Sequence, residues 1–250
     1  MDFNESIAKL KDMIRDSRKI IGFTGAGISV PSGIPDFRSA NGIYQQKLHR
    51  TYSPEEMVSH SFLMDHPEEF FEFYRGKMLY PDAEPNEAHR MFARLEAEGH
   101  DVTIVTQNID GLHEKAGSTK VLNLHGTVHK NYCVRCGRKY PMQTVYEAEG
   151  VPKCTCGGMI RPDVVLYEEG LNERVIDKTV EAIRTADMMI IVGTSLVVYP
   201  AASFVRFYPG DKLVLINLSR TSMDGFANLC IYEDCEKVAK ALLPEEAGTV

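Results

Sequence analysis

Apolar side chains at Phe3, Ile7, Leu10 and Ile14 recur at helical spacing, with Lys9, Lys11, Asp12 and Arg15 between and beyond them, so the chain opens on an amphipathic helix. The period then changes. Residues 19–23 form a short apolar run that ends in Thr24-Gly25-Ala26-Gly27, the pattern of a buried strand entering a glycine turn. The same pattern returns at 101–106, 120–124, 188–192 and 212–216, each run rich in Val, Ile, Leu or Met and closed by small or polar residues. Helical periodicity intervenes at about 85–99, 172–185 and 236–243. Strands apolar on both faces, alternating with helices, predict a parallel sheet covered on both sides. The expected class is α/β, doubly wound.

Two stretches break the alternation. One, residues 41–82, is rich in carboxylates and in aromatics from Tyr44 through Phe62, Phe70, Phe71, Phe73 and Tyr74, and Pro54 and Pro67 divide it into short helices. The other, residues 128–161, holds four of the six cysteines. Both follow strand ends, where open α/β sheets build their ligand crevices, and together they predict a smaller domain above the site. The expected division is 1–40, 83–127 and 162–250 for the main domain, with 41–82 as a helical insertion and 128–161 as a metal ribbon.

Composition narrows this picture. A chain of 250 residues, 44% hydrophobic and 25% charged, can bury one sizeable core and an appended module, which excludes a disordered or fibrous protein. Its 35 Asp+Glu exceed its 28 Lys+Arg, and a net charge of -7 opposes a phosphate backbone, so direct sequence-specific binding of nucleic acid is not expected. No apolar run approaches the roughly 20 residues of a bilayer span. The start, Met1-Asp2-Phe3-Asn4-Glu5, has no basic leader and no glycine at the second position, so no membrane partner is expected and the location expected is cytoplasmic. Cysteines stay reduced in that compartment unless a metal holds them.

Their spacing points to a metal. Cys133-Val134-Arg135-Cys136 and Cys154-Thr155-Cys156 are seventeen residues apart, close to the arrangement of four-thiolate zinc ribbons. The second pair has a one-residue gap; side chains two apart in a strand point the same way, and Gly157-Gly158 supplies a turn. Four thiolates leave no position for water or substrate, so such a zinc is structural. Two disulfides or a redox pair are the competing readings. Cys230 and Cys235 lie apart as small buried hydrophobes.

A second set of residues gathers at the strand ends. Thr24-Gly25-Ala26-Gly27-Ile28-Ser29 has the logic of a phosphate cradle, although Val30 stands where a dinucleotide fingerprint has its third glycine. Gly33-Ile34-Pro35-Asp36-Phe37-Arg38 comes next, with an aromatic and a guanidinium. Gln107-Asn108-Ile109-Asp110 places two amides and a carboxylate where burial is costly without partners, and helix capping accounts for Asp110 only. His125 closes another strand and has the right type for a base near neutral pH. Gly193-Thr194-Ser195 ends a third with groups able to meet a phosphate or ribose, or simply to form a polar turn.

In this order, together with Arg161-Pro162-Asp163-Val164-Val165, the run from Leu196 to Ala201 and Ile216-Asn217-Leu218, these motifs resemble the sirtuin family of NAD-dependent protein lysine deacylases, bacterial type, over nearly the whole chain. The resemblance implies a Rossmann-like sheet with NAD across its C-terminal ends, beneath a zinc ribbon and helical insertion, with NAD and Zn2+ as cofactors. It places phosphates at Gly25, Gly27, Gly193, Thr194 and Ser195, riboses at Gln107 and Asn217, and the adenine edge at Asp234-Cys235, with Leu218 nearby. Ala26, Phe37, Arg38, Ile109 and Asp110 would line the nicotinamide side, with Ser29, Val30 and Asn108 also in contact. Catalysis would rest on His125 as general base, with Asn108 and Asp110. An extended acyl-lysine peptide would lie between Val164-Val165-Leu166-Tyr167 and Leu196-Val197-Val198, and Cys133, Cys136, Cys154 and Cys156 would hold zinc. The products implied are free lysine, nicotinamide and 2′-O-acyl-ADP-ribose. Protein mono-ADP-ribosylation and a non-enzymatic NAD-sensing module are the alternatives.

The chain departs from its relatives' usual pattern at two places. Tyr167-Glu168-Glu169 stands where many have Phe-Gly-Glu, which implies a preference for basic residues beside the target lysine. Acidic-acyl preference in the family goes with a Tyr-x-x-Arg pair, and Tyr74-Arg75-Gly76-Lys77 lacks the arginine, so desuccinylation is not expected.

Overall fold

Among the described residues nine strands form two sheets: β1 (Lys19–Thr24), β2 (Asp101–Thr106), β3 (Val121–Asn123), β4 (Gly126–Cys133), β5 (Lys139–Tyr140), β6 (Ile160–Val164), β7 (Met188–Val192), β8 (Leu213–Ile216) and β9 (Leu229–Ile231). They are seen in a computed structural model that describes residues 1–37, 42 and 52–243. The larger sheet has the order β3-β2-β1-β7-β8-β9 and every pairing in it is parallel. Because the chain builds outward from β1 through β2 to β3 and then returns to lay β7 on the other side, the switch point lies between β1 and β7.

Alternation along the strands explains the two layers of helices. Ile20, Met188, Ile190, Val192, Val214 and Ile216 point to one face, where α1 (Phe3–Arg15), α5 (Glu87–Ala97) and α9 (Cys235–Leu242) cover them. Ile21, Phe23, Met189, Ile191 and Leu215 point to the other, under α8 (Glu173–Arg184) and a 3-10 helix, Ala201–Phe207. Side-chain caps set the starts of these helices. Asn172 accepts from the Arg174 and Val175 amides, Asp234 from Glu236 and Lys237, and Asp2 and Glu5 close a capping box. Each periodic helix expected from sequence begins at such a cap. The doubly wound α/β, Rossmann-like architecture is therefore as expected, and β9 is an added edge strand that three residues were too few to announce.

The two interruptions share one core. Between β1 and α5 stand α2 (Pro54–Met57), α3 (His60–Asp65) and α4 (Pro67–Lys77), and the smaller sheet, β5-β4-β6, carries α7 (Met142–Tyr146). Phe70 stacks on Tyr74 with ring centroids 5.6 Å apart and meets Phe71 edge-on at 5.2 Å. Around them pack Val128, Val145, Ile160 and Val164 from the ribbon. The aromatic content of residues 41–82 is thus the half-core that the ribbon, too small to bury a core alone, lacks. Tyr44 and Arg38 lie outside the described residues. Among the described residues no helix is long and apolar enough to cross a membrane.

Candidate active site and metal centre

At the switch point two glycine turns touch. Gly25 N–H donates to Val192 O at 3.1 Å and Gly27 N–H to Gly193 O at 2.8 Å. Gly193 has φ +61, and a Cβ on it would lie 2.3 Å from Ile28 N. The glycines are needed first for this backbone-on-backbone contact, and the opened turn then faces the cavity. The chain leaves the first turn as a 3-10 helix, Ala26–Ser32, containing Pro31, and not as the α-helix expected of a phosphate cradle.

A cavity of about 990 Å3 opens between the sheet and the smaller module. Gly25, Ala26, Gly27, Ser29, Val30 and Phe37 form one wall; Gln107, Asn108, Ile109, Asp110 and His125 form the floor. Gly193, Thr194, Ser195, Asn217, Leu218, Asp234 and Cys235 line the far end, and Val164, Val165, Leu166, Tyr167 and Val198 the near one. In the sequence these residues are scattered over two hundred positions. Leu196 and Val197 are not in the lining: Leu196 is buried in the sheet's core at φ +55, and Val197 faces solvent. Lining residues not singled out from sequence include Val58, Tyr80, His129 and Met142. Among the described lining residues Lys77 is the one side chain with a fixed positive charge, so a diphosphate in this cavity would be met by amides and hydroxyls.

One hydrogen-bonded chain ties two of the catalytic candidates, Asn108 and Asp110, together, and its directions are set by donor chemistry. Asn86 N–H donates to His89 Nδ1 at 3.3 Å, which leaves the proton of the neutral ring on Nε2, 3.4 Å from Ser29 Oγ. Ser29 also accepts from Asn108 Nδ2 at 3.0 Å and donates to Asp110 Oδ2 at 2.7 Å. Asp110 Oδ1 in turn accepts the Leu112 amide at 2.9 Å, so Asp110 does cap α6 (Leu112–Lys115) and serves the cavity with its other oxygen. Burial pushes the Asp110 carboxyl up and drives His89 down to about 3. His113 sits below this network with Nε2 3.0 Å from Thr24 Oγ1 and Nδ1 without a partner; its burial holds it well under the usual imidazole range.

His125 lies just past β3. Its Nδ1 lies 2.8 Å from Gln107 O, and since a carbonyl only accepts, the proton is on Nδ1 and Nε2 is the basic nitrogen. Burial lowers its pKa, partly offset by that carbonyl. Gln107 Nε2 reaches Thr194 Oγ1 at 3.1 Å and Asn108 Nδ2 reaches Gly25 O at 3.2 Å, so the β2 end is stitched to both glycine turns. Cys235 Sγ approaches Gly27 O at 3.9 Å, and burial pushes its thiol up to about 12.

Toward the smaller module, Val165 N–H donates to His125 O at 2.9 Å and Tyr167 N–H to Val58 O at 3.1 Å, which fixes one edge of that segment. Arg161, buried, holds Glu169 with both carboxylate oxygens, at 2.6 and 3.0 Å, and Glu169 also takes the Leu166 amide. Glu168, at φ +75, accepts from Ser61 N–H at 2.8 Å and Ser61 Oγ at 2.9 Å. Its carboxylate is thus engaged with α3 and not simply displayed beside the cleft.

Cys133, Cys136, Cys154 and Cys156 bring their Sγ atoms within 4.8 Å of one another. Cys133 and Cys156 are 3.5 Å apart and Cys136 and Cys154 3.6 Å, against about 2.0 Å for a disulfide. Four thiolates at about 2.3 Å from one ion would be spaced by about 3.8 Å, so the donor set and its dimensions fit zinc. Cys154 and Cys156 converge in a turn, with Gly157 N–H on Cys154 O at 2.8 Å, and not on a strand as the spacing suggested. The Cys156 amide, with the Tyr140 hydroxyl at 2.9 Å from Sγ, holds Cys154 down to about 5.

The model of the Sir2 family matches residues 25–200, which takes in both glycine turns, His125 and all four cysteines. This chain belongs to the Sir2 family. A sirtuin relative from Clostridium perfringens, named an NAD-dependent protein deacetylase, is 54% identical over 237 residues, covering 94% of this chain and 97% of the relative. Two solved Sir2 structures superpose over 96% of this chain and 98% of their own. One, with p53 peptide and NAD+, gives a TM-score of 0.83 at 39% identity; the other, with deacetylated p53 peptide and 3′-O-acetyl ADP-ribose, gives 0.86 at 39%.

Proposed function

We propose that this sirtuin is an NAD-dependent protein lysine deacetylase that releases nicotinamide and 2′-O-acyl-ADP-ribose, acting on acyl-lysine in proteins or peptides. The observation that carries the reading is His125, a buried imidazole held by Gln107 O in the tautomer that leaves Nε2 basic, in a cavity floored by Asn108 and Asp110. Bound NAD supplies the ribose carbon attacked by the acyl-lysine oxygen and the nicotinamide that departs.

The chain's own residues divide the remaining work. Gly25, Gly27, Gly193, Thr194 and Ser195 hold the diphosphate; Gln107 and Asn217 orient the riboses; Leu218, Asp234 and Cys235 border the adenine. Ala26, Ser29, Val30, Phe37, Ile109 and Asp110 enclose the nicotinamide end, and Phe37, packed against the small module's core, excludes water there. Asn108, held by Gly25 O and Ser29, is fixed before substrate arrives. His125 Nε2 takes the proton of a ribose hydroxyl, a role suited to a ring that is neutral at pH 7. The peptide enters beside residues 164–167 and 196–198, where Val198 and not Leu196 or Val197 presents its side chain. The same reading divides the chain into a nucleotide-binding domain, 1–40, 83–127 and 162–250, and a smaller domain, 41–82 with 128–161, with the cavity between them.

The test is nicotinamide release by the purified protein with NAD and acetyl-, propionyl-, succinyl- and myristoyl-lysine peptides. Release that depends on the acyl-lysine peptide, with acyl transferred to ADP-ribose, is expected. Nicotinamide release with ADP-ribose left on protein, or no release, would overturn the reading.

A further inference from the structure

The loop that carries Asn108 and Asp110 is held at its far end by the ribbon. β4 pairs with β6 at Gly126 and Thr127 and again at 131–133, with a register shift between. Residues 128–130 are thereby released from the ladder, as a bulge releases its extra residues, and they turn onto the loop. Val128 N–H donates to Ile109 O at 3.0 Å, and His129 Nε2 lies 3.0 Å from Asp110 O. A carbonyl cannot donate, so this ring carries its proton on Nε2. The next residue shows the same fit from the other side: Gly111 has φ +73, and a Cβ there would lie 2.4 Å from His129 Nε2. The imidazole occupies the space a side chain at 111 would need. His129 also lines the main cavity.

We propose that His129 is a positioning residue for the reaction. From the irregular stretch of β4 it grips the peptide between Asp110 and Gly111, and so keeps the Asp110 carboxylate on Ser29 Oγ and the Leu112 amide. It touches neither the reacting atoms nor the metal ligands, and it acts through Asp110. It also makes the ribbon's seating a determinant of the loop's geometry. The inference rests on the deacetylase reading for its kinetic consequence, and on the hydrogen bonds alone for its structural one.

The experiment compares His129→Ala and His129→Gln with the native protein, since glutamine keeps an N–H donor. Loss of one such bond is expected to lower kcat by about threefold to tenfold. The KM for acetyl-lysine peptide should be unchanged. Amide hydrogen exchange, monitored residue by residue by NMR, should accelerate at Leu112 and Val128 in the alanine variant. It should not accelerate at Cys133, whose amide is bonded to Arg138 O within the ribbon. The glutamine variant should recover most of both losses. A kcat within twofold of native in His129→Ala, no recovery by glutamine, or exchange accelerated equally at Cys133 would overturn the proposal and leave His129 a structural contact of the ribbon. Should the native protein show no NAD-dependent deacylation, the functional reading fails, while exchange at Leu112 against Cys133 still decides the role of His129.

Discussion

His125 concentrates the chemistry, and its environment makes two predictions. Replacement by alanine removes the Nε2 base and should lower deacetylation by about 10²- to 10⁴-fold. The side chain's hydrogen bond within the protein is to Gln107 O, so binding of ADP-ribose, read by calorimetry, should largely survive. Burial lowers the pKa of this imidazole from its ordinary 6.5, and a base must be unprotonated to act. The acid limb of kcat is therefore expected below pH 6.5; a limb above that value would mean that another group controls the rate. Glu168 shows how contact modifies a reading made from residue type. Its carboxylate accepts two hydrogen bonds from Ser61, the backbone one first among the causes that lower its pKa, so it stays charged while being partly spoken for. A preference for Lys or Arg beside the acyl-lysine should be at most severalfold, confined to KM, and weaker in high salt. Equal KM values for Lys-, Ala- and Glu-flanked peptides at low salt, or a preference that persists in Glu168→Gly, would remove the residue from recognition.

At the scale of elements, the ribbon is the part whose stability rests on an ion. Of its strands β5 has only two residues and β4 loses register with β6 between Thr127 and Asn131, and the thiol cluster joins the two turns, aided by Arg135 Nη1 on Cys156 O at 2.8 Å. Binding energy for the metal is folding energy for such a module. Metal analysis should find about one zinc per chain, the stoichiometry of a closed four-thiolate site. Cys136→Ser should lower both zinc content and melting temperature. Because α4 and the ribbon share the core around Phe70 and Tyr74, the same change should loosen the helical insertion as well, visible as faster exchange of α4 amides. Full activity and an unchanged melting temperature in metal-free protein would contradict this account.

For the whole molecule, the buried titratable groups set how stability varies with pH. Burial holds His89 at about 3, His113 well below 6.5 and His125 below 6.5. As pH falls through 6.5 the unfolded chain binds protons at these positions before the folded one does, so folding loses stability from there downward. Glu169 adds to the loss at lower pH. Burial alone would raise it, but Arg161, the Leu166 amide and His60 bring it from 4.5 to about 2, so its contribution falls away across that interval. Asp110 runs the opposite way, because its raised pKa means the folded state gains a proton above 3.8. With three imidazoles against one carboxyl, denaturant midpoints should decline between pH 6.5 and 4.5, and the decline should be shallower in His89→Gln. A flat profile across that range would show that these histidines are hydrated.

The sequence by itself determined the parallel sheet, because its central strands are apolar on both faces and alternate with helices, which then cover both sides. It determined the helix start at Asn172, since capping is local, and the thiolate set, since four cysteines in two close pairs match the spacing of a four-thiolate metal site. The family motifs named most of the cavity's lining, though not Val58, Tyr80, His129 or Met142. Tertiary structure alone decided the rest. That Gly27 and Gly193 are small because two turns pack on each other depends on the order in which strands assemble. Whether Leu196 and Val198 face core or cavity depends on a positive φ that local pattern does not announce. His89, His113 and His129 read as unremarkable histidines in sequence. His89 takes its tautomer from Asn86 three residues away, but the partners that place these rings, Ser29, Thr24 and Asp110, are 19 to 89 residues distant and only folding brings them within hydrogen-bond distance.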